Sequence, residues 1–125
     1  KRLLQTVGNV MKKESLPTVK SNESIKRLIN VISSGKCGIA VVINGNEIIG
    51  VVSDGDIRRS MESDESKFFD LKVSDVMTKN PVTILDSSKL KIAGDLIFSK
   101  KINSLIVTND QGMLVGIVQS YDLGI

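Results

Sequence analysis

Histidine is absent from this chain of 125 residues, and several other residue types are scarce. Without histidine there is no serine or cysteine catalytic triad, no imidazole acid–base chemistry and none of the usual zinc sites. Tryptophan is also absent and aromatic residues make up only 3%, which argues against the aromatic platforms that stack single-stranded nucleic acid. Carboxylates are scattered singly, and neither a Walker loop nor a GxGxxG motif is present. We therefore expect this chain to have no catalytic residues and no metal site.

Cysteine, long apolar runs and strong net charge are scarce as well. The one cysteine, Cys37, precedes an apolar run, and we interpret it as a buried thiol that fits a reducing, cytoplasmic location. No signal peptide is recognisable, and no apolar run approaches the roughly 18 residues that span a bilayer. The net charge is only +3, from 17 basic and 14 acidic side chains. We expect neither nucleic acid nor a membrane as a partner.

The chain does contain an internal repeat. Val-Gly-Asn-Val-Met at 7–11 returns as Val-Ser-Asp-Val-Met at 73–77, and the residues at 50–57 return at 116–123. Two copies are too few for a solenoid, whose repeats each bury a face against the next. We predict one compact pseudo-twofold module, with motif 1 and its lead-in helix at 1–66 and motif 2 at 67–125.

Hydrophobic periodicity and turn signals give both copies the same order of elements. An amphipathic lead-in over 2–11, and its counterpart at 73–77, is broken before Pro17 and Pro81 respectively. A short strand, an amphipathic helix, two strands (104–108 and 114–119 in the second copy) and a second helix follow. That helix begins near Asp54 in the first copy and is only a final turn capped by Ser120 in the second, and the polar residues 63–67 are interpreted as a linker. The predicted fold class is α/β (α+β), with two β-α-β-β-α repeats whose small sheets are covered by helices.

On these residues the chain resembles a tandem pair of cystathionine-β-synthase (CBS) motifs, from Val7 through Leu123. The resemblance is carried by Val-Ser-Asp-Val-Met-Thr at 73–78 with Asn-Pro-Val-Thr at 80–83, and by Gly-Val-Val-Ser-Asp-Gly-Asp-Ile at 50–57. It implies the CBS-pair fold. It also implies a regulatory module that binds a nucleotide in a cleft.

A narrower resemblance points to the C-terminal part of bacterial D-arabinose 5-phosphate isomerases. It rests on Lys-Arg-Leu-Leu at 1–4, Leu-Pro-Thr-Val at 16–19 and Ser-Asp-Gly-Asp-Ile-Arg-Arg at 53–59. In that family an N-terminal sugar-isomerase domain precedes the CBS pair, and the enzyme makes arabinose 5-phosphate from ribulose 5-phosphate for Kdo, a sugar of lipopolysaccharide and some capsules. The resemblance implies that this chain regulates such a domain, which this sequence does not contain, and that the CBS pair forms a homodimer within a homo-oligomer.

Other parents stay open. CBS pairs also accompany dehydrogenases, transporters and channels, and an Asp-Gly-Asp-Ile-Arg-Arg string similar to 54–59 occurs in some pairs attached to sugar nucleotidyltransferases. A purely structural or dimerisation module with no ligand is a further alternative. No cofactor is expected to be required, and the candidate regulators are an adenine nucleotide, a cytidine nucleotide or a CMP-sugar.

The turn from strand to helix at 53–59 is the candidate ligand site. The CBS resemblance implies that Ser53 contacts a phosphate and that Asp56 accepts hydrogen bonds from ribose hydroxyls. A helix start with unpaired N–H groups suits an anion, and Arg58 and Arg59 add positive charge beside it. Thr78 lies on a loop that often lines the cleft in this family.

The second copy of the turn departs from the pattern. Asp122 is kept at the position of Asp56, but Gln119 stands in place of Ser53 and Tyr121 in place of Gly55. We therefore predict one competent site and one degraded site. The turn at 53–59 also has a structural interpretation, in which Ser53 caps the helix, Asp54 and Asp56 stabilise its positive end, and Asp54 pairs with Arg58.

Overall fold

The computed structural model describes residues 4–124 and divides the chain into two compact units. The continuous unit is Pro17–Pro81, and the discontinuous unit combines Lys1–Leu16 with Val82–Ile125. This division differs from the sequence repeats at 1–66 and 67–125. Each unit takes the strands and the long helix of one repeat and the lead-in helix of the other.

The elements follow the predicted order in both copies. Outside the α-helices and strands, 3-10 helices span Glu65–Asp70 and Ser120–Leu123. In chain order the α-helices and strands are α1 (Val7–Val10), β1 (Thr18–Val19), α2 (Ile25–Gly35), β2 (Ile39–Asn44), β3 (Glu47–Ser53), α3 (Asp54–Asp64), α4 (Val73–Val76), β4 (Thr78–Lys79), β5 (Thr83–Leu85), α5 (Leu90–Lys100), β6 (Ser104–Thr108) and β7 (Leu114–Gln119).

Each unit is built on a small mixed sheet, as the sequence predicts. The continuous unit has the order β1-β2-β3-β4, in which β1 is parallel to β2 and the other pairs are antiparallel. The discontinuous unit has the order β5-β6-β7 with the same directions, and an isolated bridge from Lys12 to Ile117 stands where β4 pairs in the other sheet. Both hairpins carry an irregularity at equivalent points, between Val42 and Ile43 and between Val107 and Thr108.

The lead-in helices complete the cores of the units in which they lie. Val73 and Val76 are buried among the apolar residues of β2, β3 and α2, and Val7 is buried among those of β6, β7 and α5. The first amides of each lead-in helix also donate to the loop before the long helix. In the continuous unit these are Val73 N–H to Glu23 O (3.0 Å) and Ser74 N–H to Ser21 O (2.9 Å). Helix α1 makes the equivalent bonds, from Val7 N–H to Ser88 O (2.8 Å) and from Gly8 N–H to Asp86 O (2.9 Å).

Two features of the chain were not predicted from the sequence. The supposed linker at 63–67 continues α3 to Asp64 and then forms a 3-10 helix that buries Phe68 at 1% exposure in the core. Strand β4 was not expected. The second repeat closes with the 3-10 helix Ser120–Leu123, in agreement with the short final turn predicted there.

Other sequence predictions are confirmed. Strands β6 and β7 have the predicted bounds, and Cys37 is buried at 4% exposure. The first lead-in helix is shorter than the predicted span of 2–11, and the part of that prediction on residues 2 and 3 lies outside the described residues. No helix within residues 4–124 is long and apolar enough to cross a membrane, since the longest have 11 residues.

Two glycines let the methionines after the lead-in helices reach the sheets. A Cβ at Gly50 would lie 2.8 Å from Met77 Sδ and 3.0 Å from Thr78 O. A Cβ at Gly116 would overlap Met11 Sδ and lie 2.8 Å from Lys12 O. Both methionines are half-buried and pack against a core cluster. The absence of a side chain on β3 and β7 is therefore what admits the lead-in segments.

Replacing Gly116 tests its close contact with Met11. Gly116→Ala is expected to lower the free energy of unfolding by about 1–3 kcal/mol, because the new methyl group overpacks the site and displaces Met11. Urea denaturation measures the loss. The double variant Gly116→Ala/Met11→Ala relieves the overlap with sulfur, so its loss should fall short of the sum of the two single losses by at least about 0.5 kcal/mol. Additive losses would show that Met11 is not the obstacle.

Candidate functional site

The candidate turn is held by a reciprocal capping box. Strand β3 ends at Ser53, which has an extended backbone and is the N-cap of α3. Its hydroxyl accepts a hydrogen bond from Asp56 N–H (3.2 Å), and Asp56 Oδ2 accepts one from Ser53 N–H (2.9 Å). Each residue thus satisfies an amide that the helix start leaves unpaired. The local sequence alone places both side chains on the first turn of α3.

The carboxylate of Asp56 collects further donors. Ser53 Oγ donates to Oδ2 at 3.1 Å, and Arg59 Nη2 donates to Oδ1 at 2.7 Å. The Arg59 side chain is 70% exposed, whereas that of Asp56 is only 13% exposed. The two carboxylate oxygens therefore differ, because Oδ2 is committed to the backbone cap and Oδ1 faces an exposed guanidinium.

Thr78 reaches the same carboxylate from a distant part of the chain. Its Oγ1 lies 3.4 Å from Oδ1 and 3.5 Å from Oδ2 of Asp56, at the long end of hydrogen bonding. Strand β4 places it there, because Thr78 pairs with Val51 two residues before the end of β3. The sequence left open which lead-in loop faces which aspartate, and the structure pairs the loop after α4 with Asp56.

The start of α3 has fewer unpaired N–H groups for an anion than the sequence predicts. Two of its first amides are already bonded, Asp54 N–H to Gly38 O (3.2 Å) and Asp56 N–H to Ser53 Oγ. Asp54 and Asp56 also place two carboxylates in the first turn, which oppose an incoming phosphate. Positive charge at this turn has to come from the side chains of Arg58 and Arg59.

The sequence predicts an ion pair between Asp54 and Arg58, and this prediction was wrong. Within residues 4–124, Asp54 and Arg58 form no ion pair, and the pair that forms is Asp56 with Arg59 at i,i+3. Arg58 is exposed. The spacing of Asp56 and Arg59 could have predicted this pair, because residues three apart lie on one helix face.

The second turn shares the backbone half of the arrangement. Asp122 Oδ2 accepts a hydrogen bond from Gln119 N–H at 2.8 Å, as Asp56 does from Ser53. Tyr121 is 71% exposed, and Lys12 stands beside Ile117 where Thr78 stands beside β3. Asp122 belongs to the discontinuous unit, so the structure brings together Ser53, Asp56, Arg59 and Thr78 but places Asp122 in a separate unit.

A metal centre finds no support in the part of the chain that the structure describes. No group of three or more histidine, cysteine, aspartate or glutamate residues there is arranged to hold an ion. The groups that converge at the turn are the carboxylate of Asp56, the hydroxyls of Ser53 and Thr78, and the guanidinium of Arg59.

Comparison with curated proteins finds relatives in arabinose 5-phosphate isomerases. A probable enzyme of this kind from Haemophilus influenzae is 34% identical over 119 residues, which is 95% of this chain and 35% of that protein. The arabinose 5-phosphate isomerase of Francisella tularensis is 34% identical over 124 residues, which is 98% of this chain and 38% of that protein. A homoserine O-acetyltransferase of Methanococcus vannielii is 27% identical over 118 residues, or 24% of its length. The chain spans less than two fifths of each of these relatives.

Solved structures and a family model agree on the fold. The structure of CBSX2, a CBS-pair protein of Arabidopsis thaliana, in complex with AMP has a TM-score of 0.80 to this chain at 29% identity, covering 96% of this chain and 93% of that one. The model of the CBS domain matches residues 7–63 and 73–123. The two matches take in both copies of the repeat and confirm the resemblance seen in the sequence. The chain belongs to the CBS domain family, as a tandem pair of CBS domains in an α/β fold.

Proposed function

We propose that this CBS pair is a regulatory module that binds an adenine nucleotide at the turn of residues 53–59. The observation that carries the proposal is the convergence of Ser53, Asp56, Arg59 and Thr78, which come from two segments of the chain, around one carboxylate. The AMP complex of CBSX2, at 29% identity over nearly the whole chain, supports an adenine nucleotide as the ligand class. A cytidine nucleotide or a CMP-sugar is the second ligand class to test.

Each side chain has a role in this proposal. Asp56 accepts from the vicinal hydroxyls of the ribose, because a carboxylate has acceptor positions on both oxygens. Arg58 and Arg59 take the phosphate, since guanidinium donors and phosphate oxygens form charge-assisted hydrogen bonds. Ser53 already donates to Asp56 and accepts from its amide, so its contact with a phosphate requires its proton to turn away from Asp56. Thr78 offers a second hydroxyl beside the carboxylate.

The turn at Asp122 is proposed as the weaker site. It keeps the carboxylate but offers Gln119 in place of the serine hydroxyl and the exposed ring of Tyr121 in place of Gly55. The glutamine amide can donate to a phosphate, although it lacks a compact hydroxyl. We therefore assign the principal ligand to the turn at Asp56.

The proposed target of regulation is the catalytic domain of an arabinose 5-phosphate isomerase of Kdo biosynthesis in the cytoplasm. Two isomerases at 34% identity over almost the whole chain support this parent, while the acetyltransferase relative keeps other parents, such as a sugar nucleotidyltransferase, as alternatives. The chain itself has no catalytic role in this proposal. Regulation of the attached domain requires the ligand to bind two states of the protein with different affinities.

A structural module without a ligand is the second candidate function. It is favoured by the capping box, because the hydrogen bonds of Ser53 and Asp56 stabilise α3 whether or not anything binds. It is also favoured by large apolar side chains on the surface, among them Phe98 at 86% and Phe69 at 68% exposure, which suit a homodimer. Saturable binding of a nucleotide separates the two functions.

Binding is tested by thermal unfolding of the chain with AMP, ADP, ATP, CMP and a CMP-sugar. One adenine nucleotide at 100 times its dissociation constant should stabilise the fold by about 2.7 kcal/mol, which raises Tm by several degrees. The shift should be lost in Asp56→Ala, because the ribose loses its acceptor. It should persist in Asp75→Ala, which removes the same kind of cap from α4, where Lys72 N–H donates to Asp75 Oδ2 at 2.8 Å.

Two results would contradict the proposal. No shift with any nucleotide at millimolar concentration would leave the structural module as the function. A shift that survives in Asp56→Ala would place the ligand elsewhere in the chain.

The two aspartates also predict a stability difference that needs no ligand. Asp56→Ala and Asp75→Ala should each lower the free energy of unfolding by about 0.5–2 kcal/mol, the usual cost of a lost N-terminal cap. The loss in Asp56→Ala should exceed that in Asp75→Ala by no more than about 1 kcal/mol, because the additional ion pair with Arg59 is exposed. Urea denaturation compares them, and an unfolded Asp56→Ala would show that this carboxylate is a larger structural element than the capping box explains.

A further inference from the structure

We propose that Arg59 gates the ligand site and makes it select phosphorylated nucleotides over nucleosides, an inference that rests on the proposed function. The guanidinium occupies Asp56 Oδ1, the oxygen that a ribose needs. A ligand has to displace it. The ligand keeps the displaced guanidinium in a favourable contact only if it carries an anionic group.

The two carboxylate oxygens of Asp56 have different hydrogen-bond partners. Oδ2 already accepts from Ser53 N–H at 2.9 Å and from Ser53 Oγ at 3.1 Å. Breaking the bond to the amide would open the cap of α3. Oδ1 accepts from Arg59 Nη2 at 2.7 Å and lies 3.4 Å from Thr78 Oγ1. Oδ1 is therefore the oxygen that a ribose diol can reach at low cost, and Arg59 holds it.

Arg59 is able to leave. Its side chain is 70% exposed, so water can take over its hydrogen bonds when it moves away from Asp56, whose own side chain is 13% exposed. The bare backbone of Gly55 makes room for the closed position, because a Cβ there would lie 3.2 Å from Nη1 and 3.5 Å from Nη2 of Arg59. The gate thus consists of Gly55, which provides the space, and Arg59, which fills it.

Once a ligand displaces Arg59 from Asp56, the guanidinium needs another partner for its charge. A nucleoside takes Oδ1 and leaves the guanidinium with water alone, so the lost ion pair counts against its affinity. A nucleotide offers its phosphate to the same guanidinium, and this contact replaces the lost one. The first turn of α3 makes the requirement strict, because Asp54 and Asp56 repel a phosphate that has no arginine beside it.

The second turn of the chain lacks both parts of the gate. Tyr121 stands at the position of Gly55, and Ile125 stands at the position of Arg59. Selection for phosphate by this device is therefore confined to the turn at Asp56.

The test compares a nucleotide with its own nucleoside by titration calorimetry on the full chain. The matched ligand pairs are AMP with adenosine and CMP with cytidine. Arg59→Met should tighten adenosine by up to about fivefold, because the exposed ion pair no longer competes. The same variant should weaken AMP by about tenfold or more, because a charge-assisted contact with the phosphate is lost.

Two further variants separate the gate from a general effect of charge. Arg58→Met removes the same charge from the neighbouring position, which forms no ion pair within residues 4–124, so it should weaken AMP without tightening adenosine. Gly55→Ala keeps both arginines and crowds Nη1 of Arg59, which weakens the closed position without removing the guanidinium. It should tighten adenosine less than Arg59→Met does, without weakening AMP.

The outcomes distinguish this inference from the proposed function. If AMP binds and Asp56→Ala abolishes binding, but Arg59→Met leaves adenosine affinity unchanged or lowers it as Arg58→Met does, the gate is overturned and the nucleotide site stands. If no nucleotide or nucleoside binds the wild type or any variant, the proposed function fails and the gate fails with it. Tighter adenosine in both Arg59→Met and Gly55→Ala establishes the gate.

Discussion

The docking of each lead-in helix on the sheet of the other repeat is the interaction on which the rest of this structure depends. A helix of four residues is not stable alone, because its nucleation cost exceeds the gain from so few bonds. Here α4 buries Val73 and Val76, and its first amides donate to Glu23 O and Ser21 O. The chain then leaves α4 beside β3, where Thr78 meets Asp56. The candidate site exists because this segment is tied down at that edge.

The glycines on the sheets are the other half of this constraint. Met77 and Met11 pass over β3 and β7 where Gly50 and Gly116 leave no side chain in the way. A larger residue at either glycine would push the lead-in segment off the sheet and, at Gly50, would shift Thr78 with it. Packing at a point outside the candidate turn thus helps to set the distance between the hydroxyl of Thr78 and the carboxylate of Asp56.

The sequence predicted most helices and strands, but it did not predict β4 or the contacts between distant segments. Branched apolar runs and turn residues fix β2, β3, β6 and β7 because strand formation is a local preference strengthened by burial. The exchange of lead-in helices is a long-range contact, so periodicity could not reveal it. Phe68 was missed because only one neighbour, Phe69, is apolar in an otherwise polar stretch. At the site, Ser53 and Asp56 follow from capping chemistry, whereas the approach of Thr78 depends on the pairing of β4.

A comparison of the two turns separates residues that hold the backbone from residues that differ between the copies. Asp122 accepts from Gln119 N–H as Asp56 accepts from Ser53 N–H, so an aspartate at this position is explained by the backbone alone in both copies. What differs is the surrounding set, since only the first turn has a serine hydroxyl, a bare Gly55 and Arg59. The serine hydroxyl also caps α3, whereas Gly55 and Arg59 have no part in that cap. The proposal of a ligand at the first turn is therefore supported by the neighbours of Asp56 more than by Asp56 itself.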